Sequence, residues 1–250
     1  LGLGWRRARG WWYALLVWSL QRAGPAFVKW GQWAATRPDL FDTELCAALA
    51  ALHSGVRAHG FEHTAAAVQR AFGAPIAEVF SAFDPAPVGS GSIAQVYRAT
   101  LRGGKAGEEV AVKVRHPGVE RQLAVDFALL DGLGKVFDSL EVTRWLGARD
   151  SLRQFGRALS AQLDLGEEAR NLRRFAANFL PAPHVAVTFP TPVRSSAEVL
   201  VESYVAGEGV VRAAEGMGEE ESRLLVTTGL SVYLRMLLVD NFLHADLHPG

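Results

Sequence analysis

The chain has 250 residues, 49% of them hydrophobic, with 26 basic and 26 acidic side chains and a formal net charge of zero. That length and apolar content suffice for one large core or two modest ones, and the charge balance removes any bulk electrostatic case for nucleic acid or an anionic membrane as the main partner. A single cysteine, Cys46, excludes an intramolecular disulfide framework and fits a reducing compartment.

At the N-terminus, Arg6, Arg7 and Arg9 precede an apolar stretch from Trp11 to Leu20, the order found in a signal peptide. The stretch is half of what crosses a hydrocarbon core of ~30 Å, and no small-residue cleavage pattern follows it. It is expected to be a helix packed on the fold, with an interfacial membrane helix and a targeting segment as alternatives. Lacking an initiator Met, the chain is expected to begin inside a longer protein.

Residues 11 to 80 read as helices: Trp11 to Ala23 is apolar, Pro25 opens a second helix, and "AAAVQRAFGA" repeats apolar positions at helical spacing up to Gly73. His59 and His63, one helical turn apart, are expected with His53 on a solvated helix face. From Val88 the period changes. "IAQVYRATL", a Gly-rich charged loop "RGGKAGEE" and "VAVKV" predict two strands joined by a hairpin. Pro117 and Gly118 end the second strand. Val119 to Phe137 predicts a helix, and Ser151 to Phe179 another, with a broken stripe of Leu152, Phe155, Leu159, Leu163 and Leu165. Pro181, Pro183, Pro190 and Pro192 punctuate a loop or edge strand, and "EVLVESYV" is a third strand signal. Gly207 and Gly209 suggest a hinge before a polar stretch, in which "GEEES" reads as a helix start with its acids at the positive end of the dipole. A final apolar helix runs from Leu224 to Val239.

Three motifs carry chemistry. "VGSGSIAQVYRAT" holds Gly89, Ser90, Gly91, Ser92, Ala94 and Val96 in a strand-turn-strand setting, where glycines let backbone amides approach phosphates; a plain Gly/Ser hairpin turn is the alternative. A Rossmann reading fails, because a strand and not a helix follows the glycines. Lys113, mid-strand in "VAVKV", needs an anion if it is buried; a lysine on the exposed face of an edge strand needs none. "HADLHPG" follows a helix where a kinase keeps its catalytic loop, so that Asp246 would orient and deprotonate the acceptor hydroxyl or water with His244 as structural support. His244, Asp246 and His248 are also metal-ligand types, but the remaining ligands are not obvious, and no metal site is expected from them.

These residues, with "GPAFVKWGQWAATRPDLF" at 24 to 41, "EARNLRRF" and "VKVRHPGV", resemble the UbiB / ADCK (aarF-domain-containing) family of atypical kinases over almost the whole chain. The resemblance implies an α+β, protein kinase-like fold: a helical extension at 1–80 with the Lys29-x-Gly31-Gln32 motif, a sheet-containing N-lobe with a helical insertion at 81–206, and the start of a C-lobe at 207–250. It implies that Lys113 binds phosphate and pairs with Glu168, where spacing alone would choose Glu120 or Asp126. It implies that backbone near Ser203 and Val205 holds adenine, and that Lys29, Gly31 and Gln32 lie over the active site and block a protein substrate's path.

Departures from the family pattern are the glycine loop in place of an alanine-rich one, and Gln162-Leu163-Asp164 where a Glu-x-Asp motif is usual, which keeps Asp164 and removes one carboxylate. Both resemble the branch with the second mammalian ADCK protein. The chain ends at Gly250, before the family's magnesium-binding Asn and Asp, so this stretch alone is expected to turn over nucleotide poorly. The implied function is an atypical kinase or ATPase using ATP and Mg in support of coenzyme Q or related lipid metabolism. Its expected partners are nucleotide and membrane lipid or quinone-biosynthesis proteins, with no nucleic acid. The expected location is the matrix face of the mitochondrial inner membrane, or a plastid or bacterial inner membrane. Alternatives are a phosphotransferase of the aminoglycoside or choline kinase type, against which Lys29-x-Gly31-Gln32 argues, and a nucleotide-sensing, lipid-binding pseudokinase scaffold.

Overall fold

A computed structural model of the chain describes residues 2–53, 58–103, 108–139, 148–180 and 187–244. The N-terminal part is helical: α1 (Gly2–Ala23), α2 (Pro25–Ala35), α3 (Thr43–Leu49) and a 3-10 turn (Ala50–His53). Pro25 at the first position of α2 has no amide to leave unsatisfied there, and Asp42 caps α3 by accepting from Glu44 N at 2.9 Å. Leu20, Val28, Ala34, Leu49 and Leu52 form one core cluster, with Leu16 and Val17 packed against it. The α1 helix thus packs through Leu16, Val17 and Leu20, while Leu15 is exposed. Trp11, Trp12 and Trp18 stay exposed, Trp11 at 81%, and lie outside that packing face.

A six-stranded antiparallel sheet follows, in the order β1-β3-β4-β6-β5, with β2 paired to β3. The strands are β1 (Phe80–Phe83), β2 (Gly89–Ser90), β3 (Ala94–Leu101), β4 (Glu109–Arg115), β5 (Pro192–Ser195) and β6 (Val199–Ser203). The expected hairpin is β3–β4, and the third strand signal is β6, which inserts beside β4 rather than at an edge. Alternation then decides function. Val110, Val112 and Val114 are fully buried with Tyr97, Val199 and Val201 beneath α4 (Phe61–Phe72), while Ala111, Lys113 and Arg115 face the other way. Gly73 ends α4 in the left-handed conformation, φ 73°, as a C-terminal glycine does. The four-residue α5 (Ile76–Val79) leads into β1.

Three helices are inserted between β4 and β5: α6 (Val119–Ser139), α7 (Ala148–Ala161) and α8 (Leu165–Phe179); α6 and α7 pack on each other and on Ala26 and Ile93, and α8 lies against the opposite sheet face. The single helix expected over Ser151–Phe179 is two. Residues 162 and 163 form a turn, with Gln162 N donating to Leu159 O and Leu163 N to Ser160 O, and Asp164 starts α8 afresh by accepting from Gly166 N at 2.8 Å. Leu165 and Ala169 of α8 bury against Leu200 of β6.

Beyond β6 come α9 (Val210–Glu215), with Gly209 at its N-cap, and α10 (Glu219–Leu234), which continues as a π turn (Arg235–Val239). Glu221 accepts from Gly218 N at 3.1 Å at the start of α10, the polar helix start expected there. By length and composition alone Glu219–Val239 is apolar enough to cross a membrane. Its leucines and valines are mostly exposed, whereas Met236 buries against Phe175 and Phe179 of α8.

Candidate functional site

The sheet face that carries Lys113 has Val96 opposite it on β3 and Leu200 opposite it on β6. From α8, 55 residues away, the Glu168 carboxylate reaches across this face and accepts from Lys113 Nζ at 2.7 and 2.8 Å. Both side chains are about one-third exposed, 30% and 34%, so the pair is stabilised by a lowered dielectric yet open to a ligand on one side. Neither residue favoured by spacing pairs with the lysine. Glu120 binds Arg115 at 2.8 Å, and Asp126, 2% exposed, accepts from Ala26 N at 3.1 Å. Glu168 is selected by the turn at Asp164, which aims the first turn of α8 at β4; sequence distance carries no such information.

The glycine turn lies at the edge of this face. Gly89 and Ser90 pair with Val96 and Gln95, and Gly91 N donates to Ala94 O at 2.9 Å. A Cβ added at Gly89 would meet nothing within 4 Å. Packing therefore does not explain that glycine, and its backbone is left open to approach. Two buried polar atoms in this region have no hydrogen-bond partner, Ser90 Oγ and Glu202 Oε2. Glu202, on β6 opposite Ala111, shares the lysine's sheet face and was not singled out from the sequence. Its sole signal there was a charge inside an apolar strand. Burial pushes its carboxyl up to about 7, the negative Glu168 adding to the rise and Lys113 opposing it.

A carboxyl with a raised folded-state pKa contributes stability below its ordinary value and loses it as pH rises through the folded value. Between pH 5 and pH 8 wild type should therefore lose on the order of 1–3 kcal/mol more stability than Glu202→Gln, after allowance for solvent screening. Denaturant midpoints of the two proteins at both pH values check this, and parallel pH dependence would refute it.

Ser203 N and Tyr204 N are engaged by Thr191 O at 2.9 Å and Glu109 O at 3.1 Å, so Val205, half-exposed, is the first peptide past the ladder. Ser92 and Ala94 are buried at the start of β3. Among the helical-extension residues, Gln32 donates to Leu52 O at 2.8 Å, and a Cβ on Gly31 would stand 2.3 Å from Leu52 Cδ1. Both are explained by packing between α2 and the 3-10 turn. Lys29 is half-buried on α2. The extension touches the glycine turn through Ala26, which packs with Ile93, Val119 and Leu123.

Asp246 and His248 lie outside the described residues. His244 is the last residue described; it is exposed, with its ring 6.1 Å from that of Phe175. Phe242 packs on Phe175 with ring centroids 4.6 Å apart and the planes tilted by 40°, under Arg174 at 3.9 Å, after a turn in which Asn241 takes φ 43°. The α8 helix thus holds the Lys113 partner in one turn and anchors the approach to Asp246 seven residues later, about 10 Å along its axis. Among the described residues no group of three His, Cys, Asp or Glu side chains is arranged to hold a metal ion.

The expected solvated face of His59 and His63 is corrected. His59 precedes α4 and is half-buried, bonded to His116, and His63 donates to Arg115 O at 3.0 Å. The His53 side chain lies outside the described residues.

The ABC1 atypical kinase-like domain matches residues 51–250. The chain is similar to a probable serine/threonine-protein kinase, abkC, of Dictyostelium discoideum (38% identity, 96% of this chain, 34% of that protein). It is similar to a mitochondrial ABC1 family protein of Schizosaccharomyces pombe (34%, 96% and 38%) and to the probable protein kinase UbiB of Marinobacter nauticus (31%, 93% and 42%). It therefore spans well under half the length of these relatives. Among solved structures it resembles Rv3197 of Mycobacterium tuberculosis in complex with erythromycin, with a TM-score of 0.58 and 26% identity over 77% of this chain and 47% of that one.

Proposed function

Because the chain belongs to the ABC1 atypical kinase-like family, we propose that its sheet face between the glycine turn and α8 binds Mg-ATP and that the protein transfers or hydrolyses the terminal phosphoryl group. The observation that carries this reading is the Lys113–Glu168 pair, a cation fixed by a carboxylate and still one-third exposed beside an open glycine turn. ATP would supply the phosphoryl group. Lys113 would neutralise phosphate oxygens, backbone amides of 89–92 would donate to them, and the backbone at Ser203 and Val205 would meet the base. Asp246 would accept the acceptor's proton or orient water, with His244 supporting the loop. Asp164, Lys29, Gly31 and Gln32 would act from the helical part that borders the turn.

Two relatives are named protein kinases, one of them UbiB, which supports a role in isoprenoid quinone metabolism. The relatives are mitochondrial, bacterial and, in Arabidopsis thaliana, chloroplastic. The inner membrane is proposed from α1, whose exposed Trp11, Trp12 and Trp18 suit the interfacial layer of a bilayer.

The test is phosphate release and transfer by the full-length protein and by Asp246→Asn. The substitution is expected to lower turnover by roughly 10²–10⁴-fold while nucleotide affinity stays within a few-fold. Unchanged turnover would reject a catalytic Asp246.

A further inference from the structure

Between α4 and β3 a continuous chain of polar groups runs from the sheet core to the glycine turn, and its donors and acceptors can be assigned from its two ends. At one end the backbone of His59 orients the Gln95 amide: His59 N donates to Gln95 Oε1 at 2.9 Å, and Gln95 Nε2 donates to His59 O at 3.2 Å. Gln95 Nε2 has a second hydrogen, directed to Tyr97 Oη. The Tyr97 hydroxyl must then donate onward, to Thr64 Oγ1 at 2.7 Å, and Thr64 in turn to His59 Nε2 at 3.0 Å. His59 therefore keeps its proton on Nδ1. At the other end the Gly91 carbonyl only accepts, so His116 Nε2 donates to it at 2.9 Å and His116 Nδ1 is an acceptor.

The two assignments meet where His59 Nδ1 and His116 Nδ1 stand 2.7 Å apart, one donating and the other accepting. Each hydrogen is used once, every group is satisfied, and both imidazoles are neutral.

An added proton has no place in this chain. On His116 it sets two N–H groups against each other; on His59 it faces the Thr64 hydroxyl, whose reversal would run into Tyr97 and the fixed Gln95 amide. Nor, among the described residues lining the adjoining cleft, does a free carboxylate stand by to hold an imidazolium. The cleft of about 340 Å³ lined by His63 and His116 also holds Arg70, Arg115, Glu120 and Glu198, and its acids are engaged by arginines: Arg70–Glu198 at 3.0 Å, Arg115–Glu120 at 2.8 Å and Arg115–Glu198 at 3.6 Å. Consistent with this, burial first and the neighbouring imidazoles His116 and His63 second lower His59 to about 4. His116 is lowered by burial and by His63, its bond to Gly91 opposing the shift.

We propose that His59 and His116 form a neutral two-histidine relay, anchored on Gln95, that holds the Gly91 carbonyl and so positions the glycine turn over the nucleotide. His116 is a positioning residue, acting through Gly91 and not on the ligand. The inference rests on the nucleotide reading above, and the experiment separates the two.

Binding of a non-hydrolysable ATP analogue with Mg is measured in the full-length protein for wild type, His116→Ala, His116→Gln, His116→Asn and Lys113→Met. Imidazole nitrogen shifts are recorded for the two histidines. Loss of one positioning hydrogen bond predicts a Kd about three- to tenfold weaker for His116→Ala and His116→Asn. His116→Gln, whose amide nitrogen occupies the place of Nε2, should recover most of it. In a Glu202→Gln background, which removes the carboxyl raised to about 7 on the Lys113 face, affinity should hold as pH falls through 6 and decline only near pH 4–5, below the range of a free histidine. The shifts should show hydrogen on Nδ1 of His59 and on Nε2 of His116. The relay is overturned if His116→Ala and His116→Asn bind like wild type while Lys113→Met does not, or if the tautomers are reversed. Should Lys113→Met also bind like wild type, the nucleotide reading falls instead, and the tautomers alone decide the relay.

Discussion

Lys113→Met in the full-length protein is expected to weaken Mg-ATP binding by about ten- to a hundredfold, the value of a charge-assisted contact to phosphate, and to reduce phosphoryl turnover further. Two losses combine. The substitution removes the cation, and it leaves the Glu168 carboxylate, 34% exposed, without the partner that now stands 2.7 Å away. An unpaired carboxylate in the site repels phosphate, so Lys113→Met should be worse for binding than Glu168→Gln, which keeps the positive charge and frees its position.

The double variant is the more discriminating measurement. If the carboxylate acts by holding the lysine, Lys113→Met with Glu168→Gln should bind no worse than Lys113→Met alone, a coupling typical of residues in direct contact. Strictly additive losses would mean that the two side chains act on the ligand separately and that the pair is not the organising feature of the site.

Gly24→Ala is expected to destabilise the fold by on the order of 3 kcal/mol, a fall in Tm of about 10 °C for a chain of this size. Gly24 has φ 146° and ψ 171°, a region that L side chains rarely adopt. Its Cβ would also lie 2.3–2.6 Å from the carboxyl atoms of Asp126. Asp126 cannot retreat, being 2% exposed, and its Oδ2 accepts from Ala26 N in the first turn of α2, which has no cap of its own. The glycine therefore permits a carboxylate 100 residues beyond Ala26 to cap the start of α2 and bind α6 to the extension.

Asp126→Asn, which preserves shape and an acceptor oxygen, should lose less, about 1 kcal/mol. Burial raises the Asp126 carboxyl above its ordinary range, the bond from Ala26 opposing the shift, so the fold favours its charge less than water does. Thermal unfolding of both variants checks the argument; a Gly24→Ala protein melting within a degree or two of wild type would remove it.

What the sequence determined is what depends on neighbours in the chain. Alternation in "VAVKV" made β4 and sent Lys113 to the face opposite Val112 and Val114, because a strand has a period of two and valines seek the core. Pro25 started a helix and Gly73 ended one for reasons of backbone geometry that act within a few residues. The family resemblance named Glu168, yet nothing local to "EEARN" selects it over Glu120 or Asp126. Only the tertiary structure made that choice, through the turn and the Asp164 cap that break one apparent helix into two and swing the second onto β6.

The same limit hid the histidines. His59 and His63 look alike at helical spacing, but His116 approaches from the far end of β4 and turns one of them into part of a buried polar chain. Nothing in the sequence singles out Glu202; its burial follows from the position of β6, with β4 on one side and β5 on the other. Hydrophobic period and turn chemistry are sums over adjacent residues and can be read from the chain. Ion pairs, tautomers and orphaned carboxylates depend on which distant segment arrives at a given surface, and that is decided when the layers pack.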